Sequence, residues 1–172
     1  MLVEGSYASI IANKIDRNVK ANIATGGLRC GLSVIKCNLI ENSKSEGIFV
    51  IEGETTLLIE ENEIMGNHDG IVLVESLGTI RLNVIKENQR SGIMTANNTT
   101  ALLEANTIEE NWTAGIVIKD PSLPVMRKNE ISKNYYQVQM EAHARDRWDL
   151  YFRENPKIIG ANEIPKQACI IF

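Results

Sequence analysis

Titratable side chains gather suggestively in the stretch NEIMGNHDGIVLV, residues 62–74. His68 and Asp69 stand side by side ahead of Gly70 and a short apolar run, a grouping suited to acid–base chemistry. Aligned on the following glycine, Glu46 and Asp69 take the same place in consecutive copies of a repeating frame, which predicts a separation of about 4.8 Å, one strand spacing. Two carboxylates that close raise one pKa and can divide acid and base roles. Arg90 falls in the column of His68 and adds a cation. The same frame returns without the pair, however, as NVIKENQRSGIMT from Asn83 and NTIEENWTAGIVI from Asn106. Turn residues ahead of a glycine are commonly polar because they face water. The pair therefore reads as structural, and Glu46, His68, Asp69 and Arg90 form the alternative reading, a carbohydrate site.

What positions these residues is the repeat itself. An Asn-x-Ile step occurs at Asn13, Asn38, Asn62, Asn83, Asn106, Asn129 and Asn162. The intervals of 25, 24, 21, 23, 23 and 33 residues signal a solenoid. A second asparagine follows at Asn18, Asn42, Asn67, Asn88, Asn111 and Asn134. Gly-Ile then appears at Gly47, Gly70, Gly92 and Gly115, whereas Asn22-Ile23 and Gln137-Val138 stand there in the outer copies, as if the pattern weakened. Three residues before the first asparagine stand Ile10, Ile35, Ile59, Ile80, Leu103, Met126 and Ile159; two after it stand Ile15, Ile40, Ile64, Ile85, Ile108, Ile131 and Ile164. Both columns are apolar and mostly β-branched, which predicts inward-facing strand positions. The asparagines are expected to stack amide on amide at tight corners. Lys36, Glu60, Arg81, Glu104 and Arg127 alternate in charge down one column, as parallel neighbours that pair with each other would. Leucine-rich repeats share the string Leu57-x-Ile59-x-x-Asn62-x-Ile64, but the position of Leu57 is Ala8, Ser33, Gly78, Ala101, Pro124 or Lys157 elsewhere, and no helical pattern separates the strands.

These features predict an all-β fold, a right-handed parallel β-helix of about seven coils with three short strands each, filling residues 1–172 as one domain. The N-x-I-x-x-N-x(3–4)-G-I pattern resembles the right-handed parallel β-helices of the pectate-lyase-like superfamily. It is most similar to the repeats of carbohydrate-binding and sugar-hydrolase proteins and of β-helix-bearing F-box proteins. The resemblance implies architecture, and its families hold lyases and hydrolases beside non-catalytic scaffolds. Their catalytic strings, an acidic calcium cluster with a basic residue or an Asp pair with Gly-His-Asp, are absent, so no catalytic residue is carried over.

Composition narrows the function classes. The chain has 172 residues, 44% hydrophobic and 23% charged, with a net charge of −4, which speaks against a strongly basic nucleic-acid surface. No apolar run reaches membrane-spanning length, and the first residues lack an export signal. Cys30, Cys37 and Cys169 show no paired spacing and read as reduced, mostly buried thiols of a cytoplasmic protein. No pattern of ligands suggests a metal, and no cofactor is expected; His143 reads as solvated. Val3 aligns with Ile51, so the chain is expected to begin past the Gly-Ile strand, and CIIF from Cys169 fits a last one. With no evident cap at either end, a stretch of a longer protein, or ends covered by partners, is expected.

Two features point to protein partners. Inward Ile48, Ile71, Ile93 and Ile116 send Phe49, Val72, Met94 and Val117 outward, an apolar row over four coils and roughly 15 Å that Gln139 interrupts. The interval from Asn129 to Asn162 exceeds the usual repeat by about ten residues, and residues 141–157 are read as an inserted loop or short helix. It carries Trp148, Tyr151 and Phe152 among Arg145, Arg147 and Arg153, residue types that anchor interfaces. The expectation is a non-enzymatic scaffold that binds other proteins through Phe49, Val72, Met94, Val117, Trp148, Tyr151 and Phe152. The F-box resemblance implies a large cytoskeletal or ciliary assembly, or ubiquitin-ligase substrate recognition.

Overall fold

The computed structural model describes residues 2–4, 8–26, 33–52, 57–141, 154 and 157–158. Within them, short strands form three parallel sheets of seven, six and seven strands. The long sheet holds β1 (Leu2–Glu4), β4 (Ile23–Gly26), β7 (Glu46–Ile51), β10 (Asp69–Val74), β13 (Ser91–Ala96), β16 (Ala114–Ile118) and β19 (Tyr136–Met140). The ladder sheet holds β2 (Ser9–Ile11), β5 (Val34–Lys36), β8 (Leu58–Glu60), β11 (Thr79–Arg81), β14 (Leu102–Glu104) and β17 (Val125–Arg127). The third sheet holds β3 (Lys14–Asp16), β6 (Leu39–Glu41), β9 (Glu63–Met65), β12 (Val84–Lys86), β15 (Thr107–Glu109), β18 (Glu130–Ser132) and β20 (Lys157–Ile158).

Strands β2 to β19 make six triplets, and between β4 and β19 the chain returns to the long sheet five times. That is fewer than the seven coils expected, because β1 and β20 each contribute one strand rather than a full triplet among the described residues. β1 lies in the long sheet itself: Val3 pairs with Thr25, which pairs with Val50, so the alignment of Val3 with Ile51 was one residue late.

Within the described coils the expected columns fill the bore; Ile159, Asn162 and Ile164 lie outside the described residues. Ile35, Ile59, Ile80, Leu103 and Met126 are at most 2% exposed, and Ile40, Ile64, Ile85, Ile108 and Ile131 are fully buried. Ile15, in the first complete coil, is half-buried. From the long sheet Ile23, Ile48, Ile71, Ile93 and Ile116 close the third wall. Burying one such side chain contributes roughly 1.5–3 kcal/mol, so a continuous stack of them dominates the fold's stability.

Each turn from the ladder sheet to the third sheet uses two residues. The first is left-handed: Ala12, Cys37, Glu61, Leu82, Ala105 and Lys128 have φ between 52° and 57°. That conformation costs a non-glycine residue on the order of 1 kcal/mol. The second residue offsets the cost. Asn13, Asn38, Asn62, Asn83, Asn106 and Asn129 form the predicted ladder, the backbone N–H of each of the first five donating to the side-chain oxygen of the next at 2.9–3.1 Å. Each side-chain amide from Asn38 onward also donates to the carbonyl of Ile10, Ile35, Ile59, Ile80 or Leu103 in the coil before, at 2.8–2.9 Å.

The second ladder departs from the sequence reading at one rung. Asn42 is not in it; with φ 56° it occupies the left-handed position that Arg17, Gly66, Glu87, Glu110 and Lys133 fill elsewhere. Ser43 stands on the rung, its N–H donating to Asn67 Oδ1 at 3.0 Å. A serine has no amide to pass the chain of bonds on, and Asn22 supplies one. Asn18 Nδ2 donates to Asn22 Oδ1 at 2.7 Å, and Asn22 Nδ2 donates to Asn67 Oδ1 at 3.2 Å. Asn67, Asn88, Asn111 and Asn134 continue the series. At its far end Gln137 Oε1 accepts from Asn134 Nδ2 at 3.1 Å.

The glycine column explains itself in the same terms. A Cβ at Gly47 would lie 2.9 Å from Asn67 Nδ2 and 2.7 Å from the Gly70 carbonyl oxygen, so the ladder leaves no room for a side chain there. Asn22 and Gln137 are the described exceptions, and both put an amide into the ladder where it is broken or ends. The apparent weakening of the repeat in the outer copies is this repair.

The charge column also pairs in register, Lys36 to Glu60 to Arg81 to Glu104 to Arg127. It is tightest at Glu60, which is 5% exposed between Lys36 Nζ at 3.0 Å and Arg81 Nη2 at 2.7 Å. The Lys36 hydrogen bond, with Arg81 adding to it, holds the Glu60 carboxyl below the ordinary range against the opposing effect of burial.

Candidate interaction face

The outer side of the long sheet carries one row of side chains in strict register: Ala24, Phe49, Val72, Met94, Val117 and Gln139. The four apolar members fall where the alternation of the strands predicted. They are less open than a free stripe: Val72 is 6% exposed, and Phe49, Met94 and Val117 are half-buried. Side chains one strand spacing apart shield one another, so the middle of such a row is shielded most.

Toward the last described coils the row opens into a concavity of about 390 Å³. Met94 and Val117 form part of its wall, and Arg90, Lys119, Gln139 and Glu141 bring polar groups to it. Glu141 is engaged, its Oε2 accepting the Asp120 N–H at 2.9 Å.

The His68–Asp69 neighbourhood is assembled as the stacked frame predicted. Asp69 pairs in register with Glu46, yet the two carboxylates turn to different partners. Asp69, 3% exposed, accepts the Ser91 N–H at 3.1 Å and the Ser91 hydroxyl on Oδ1. Its Oδ2 lies 3.3 Å from His68 Nδ1 and 3.6 Å from Arg90 Nη1. Glu46 accepts from the hydroxyl of Ser45. Through Ser91 the buried carboxylate ties one coil to the next.

Trp148, Tyr151 and Phe152, with most of the insertion, lie outside the described residues, as do His143, Cys30 and Cys169. Cys37 is free but exposed, not buried as expected, because the left-handed corner residue points away from the bore. Its thiol donates to Glu61 Oε2 at 3.3 Å, and that hydrogen bond raises its pKa and makes it a poor nucleophile. Among the described residues no group of three or more His, Cys, Asp or Glu is placed to hold a metal ion.

Two features escaped the sequence reading. Trp112 and Tyr135 are each 74% exposed at the corner leading into the long sheet, and the Tyr135 ring meets Tyr136 edge-on at 4.5 Å. Each directly follows a ladder asparagine, a place where other copies carry Lys44, His68 or Gln89, so an aromatic there was the available signal. The ladder sheet also has an outward row, Val34, Leu58, Thr79, Leu102 and Val125, in register beside the charges. Its members lie four residues before each first asparagine, and Thr79 in the middle hides the pattern.

A family model described as "Right handed beta helix region" matches residues 30–148, more than half of the chain. No curated protein and no solved structure gives a significant match.

Proposed function

The chain belongs to the right-handed β-helix family, and from that premise we propose that it is a non-enzymatic scaffold that binds a partner protein across the outer face of the long sheet. The observation that carries the reading is the apolar row Phe49, Val72, Met94 and Val117, unbroken over four coils and running into the concavity. A sheet face devoted to sugar would present hydrogen-bonding groups along that row; an apolar row with exposed aromatics at its border is what protein interfaces use. Trp112 and Tyr135 are the border anchors, and Trp148, Tyr151 and Phe152 of the insertion belong to the same proposal. The finer kinship with the pectate-lyase-like superfamily and β-helix-bearing F-box proteins, and a place in a cytoplasmic assembly, are proposed on the repeat pattern alone.

Crosslinking mass spectrometry in native extract tests this, comparing the chain with its Phe49→Asp/Val117→Asp variant. Reproducible crosslinks from Lys44 and Lys119 to one partner, lost in a variant that keeps its circular dichroism spectrum, support the scaffold. A chain that crosslinks to nothing, and instead binds an oligosaccharide array in a manner abolished by Asp69→Asn, would replace it with the carbohydrate reading.

A further inference from the structure

The concavity on the long sheet has a charge pattern that selects among protein partners. Its apolar wall, Met94 and Val117, lies between two cations. Arg90 stands just before β13, its side chain 52% exposed and 3.6 Å from Asp69. Lys119 follows β16 immediately and, among the described residues, has no carboxylate within ion-pair distance. Thr95 pairs with Ile118, which sets Lys119 level with Ala96, so the cations sit at opposite ends of the strands. Six residues of strand separate the two levels, roughly 20 Å at about 3.3 Å per residue. Glu141, the only carboxylate among the described lining residues, is turned to the Asp120 backbone.

Resting on the scaffold reading, we infer that this concavity takes an extended segment of the partner with two acidic residues six positions apart and, on the same face, an apolar side chain four positions from the one that meets Arg90 and two from the one that meets Lys119. The apolar residue packs on Met94 and Val117, and the two carboxylates meet Arg90 and Lys119. Extended peptide matches the length of the strands beneath it, and an acidic segment is complementary to the cations where a basic one would be repelled. The Arg90 guanidinium remains beside Asp69 while it takes a ligand carboxylate, since its fork has donors for both.

The test uses the purified full chain on an array of synthetic nonapeptides with leucine, valine or phenylalanine at position 4 or 6, on the same face of an extended chain as Glu, Ser or Lys at positions 2 and 8. The Glu,Glu pool is expected to bind about tenfold more tightly than the Ser,Ser pool, with the Lys,Lys pool weakest. Lys119→Glu should invert the preference at the peptide position facing it. Arg90→Gln, which keeps a hydrogen-bond donor beside Asp69, should flatten the preference at the other. Pools that bind alike, or a preference unmoved by both variants, overturn the inference. If that happens while Phe49→Asp/Val117→Asp still abolishes the partner crosslinks, the scaffold stands and only the charge assignment falls. Should those crosslinks survive the apolar variant, the scaffold reading itself is what fails.

Discussion

The two asparagine corners of each coil obey different rules. From the ladder sheet to the third sheet the chain always spends two residues, one left-handed and one asparagine, in all six described triplets. From the third sheet to the long sheet it spends six, four, three, four, four and three. Both corners need one amide per coil to carry the ladder. At the first nothing else fits between the strands. At the second the residues after the rung, Asn22 apart, are free of that duty, and there the chain places His68, Arg90, Trp112 and Tyr135. Uniformity marks where the backbone needs the side chain, and variety marks where a partner can use it.

Substitutions can break or sharpen that contrast. The largest effect is expected from Asn83→Ala in the uniform ladder, which strands the Asn62 N–H and the Ile59 carbonyl inside the bore. Two or more buried groups left unpaired should cost about 4 kcal/mol in urea unfolding. Asn13→Ala, at the exposed end of the same ladder, should cost about 1 kcal/mol or less. Equal losses at the two positions would mean that the ladder is not held by burial.

Gly92→Ala comes next. Its Cβ would sit 2.7 Å from both the Gly115 carbonyl oxygen and Ile108 Cγ2, and overpacking of that kind costs about 2 kcal/mol, read as a lower thermal midpoint. Smaller again is the repair at Ser43. Asn22→Gly should cost about 1–2 kcal/mol alone. Combined with Ser43→Asn, which restores the missing rung, it should cost almost nothing, leaving a coupling of about 1 kcal/mol in a double-mutant cycle. Additive behaviour would show that Asn22 does not stand in for the absent amide.

The smallest effect is electrostatic. Because Lys36 and Arg81 hold the Glu60 carboxyl below its ordinary value, the stability from its ionisation is complete above the ordinary carboxylate range. It is lost as pH falls through the lowered folded-state value. Glu60→Gln should therefore flatten the acid limb of a stability–pH curve while leaving its neutral shape alone. An unchanged acid limb would place the pairing among solvated ion pairs of no consequence.

The periodic part of this molecule was legible from its residues. Isoleucine at fixed offsets from an asparagine allows one winding, and the register of the charge column follows from it. What escaped depended on neighbours distant along the chain. Asn42 looks like a rung because it is an asparagine, but the rung lies five residues after Asn38, at Ser43. Asn22 and Gln137 look like decay of the glycine column until the amides they contact are known. Nothing in Leu82 or Ala105 announces a left-handed conformation, which is imposed by the geometry of the coil. The outward row was found, but its half-burial was not, since shielding by side chains on adjacent coils is a property of the stack.

The most direct test of the account sets the two corners against each other. A photo-crosslinking benzoylphenylalanine replaces Trp112 at the variable corner or Leu82, 48% exposed, at the uniform one. Irradiation of each chain in native extract should give a discrete partner adduct from position 112 and none from position 82. Adducts from position 82 alone, or equal yields from both, would contradict the assignment of the partner to the long sheet and its border.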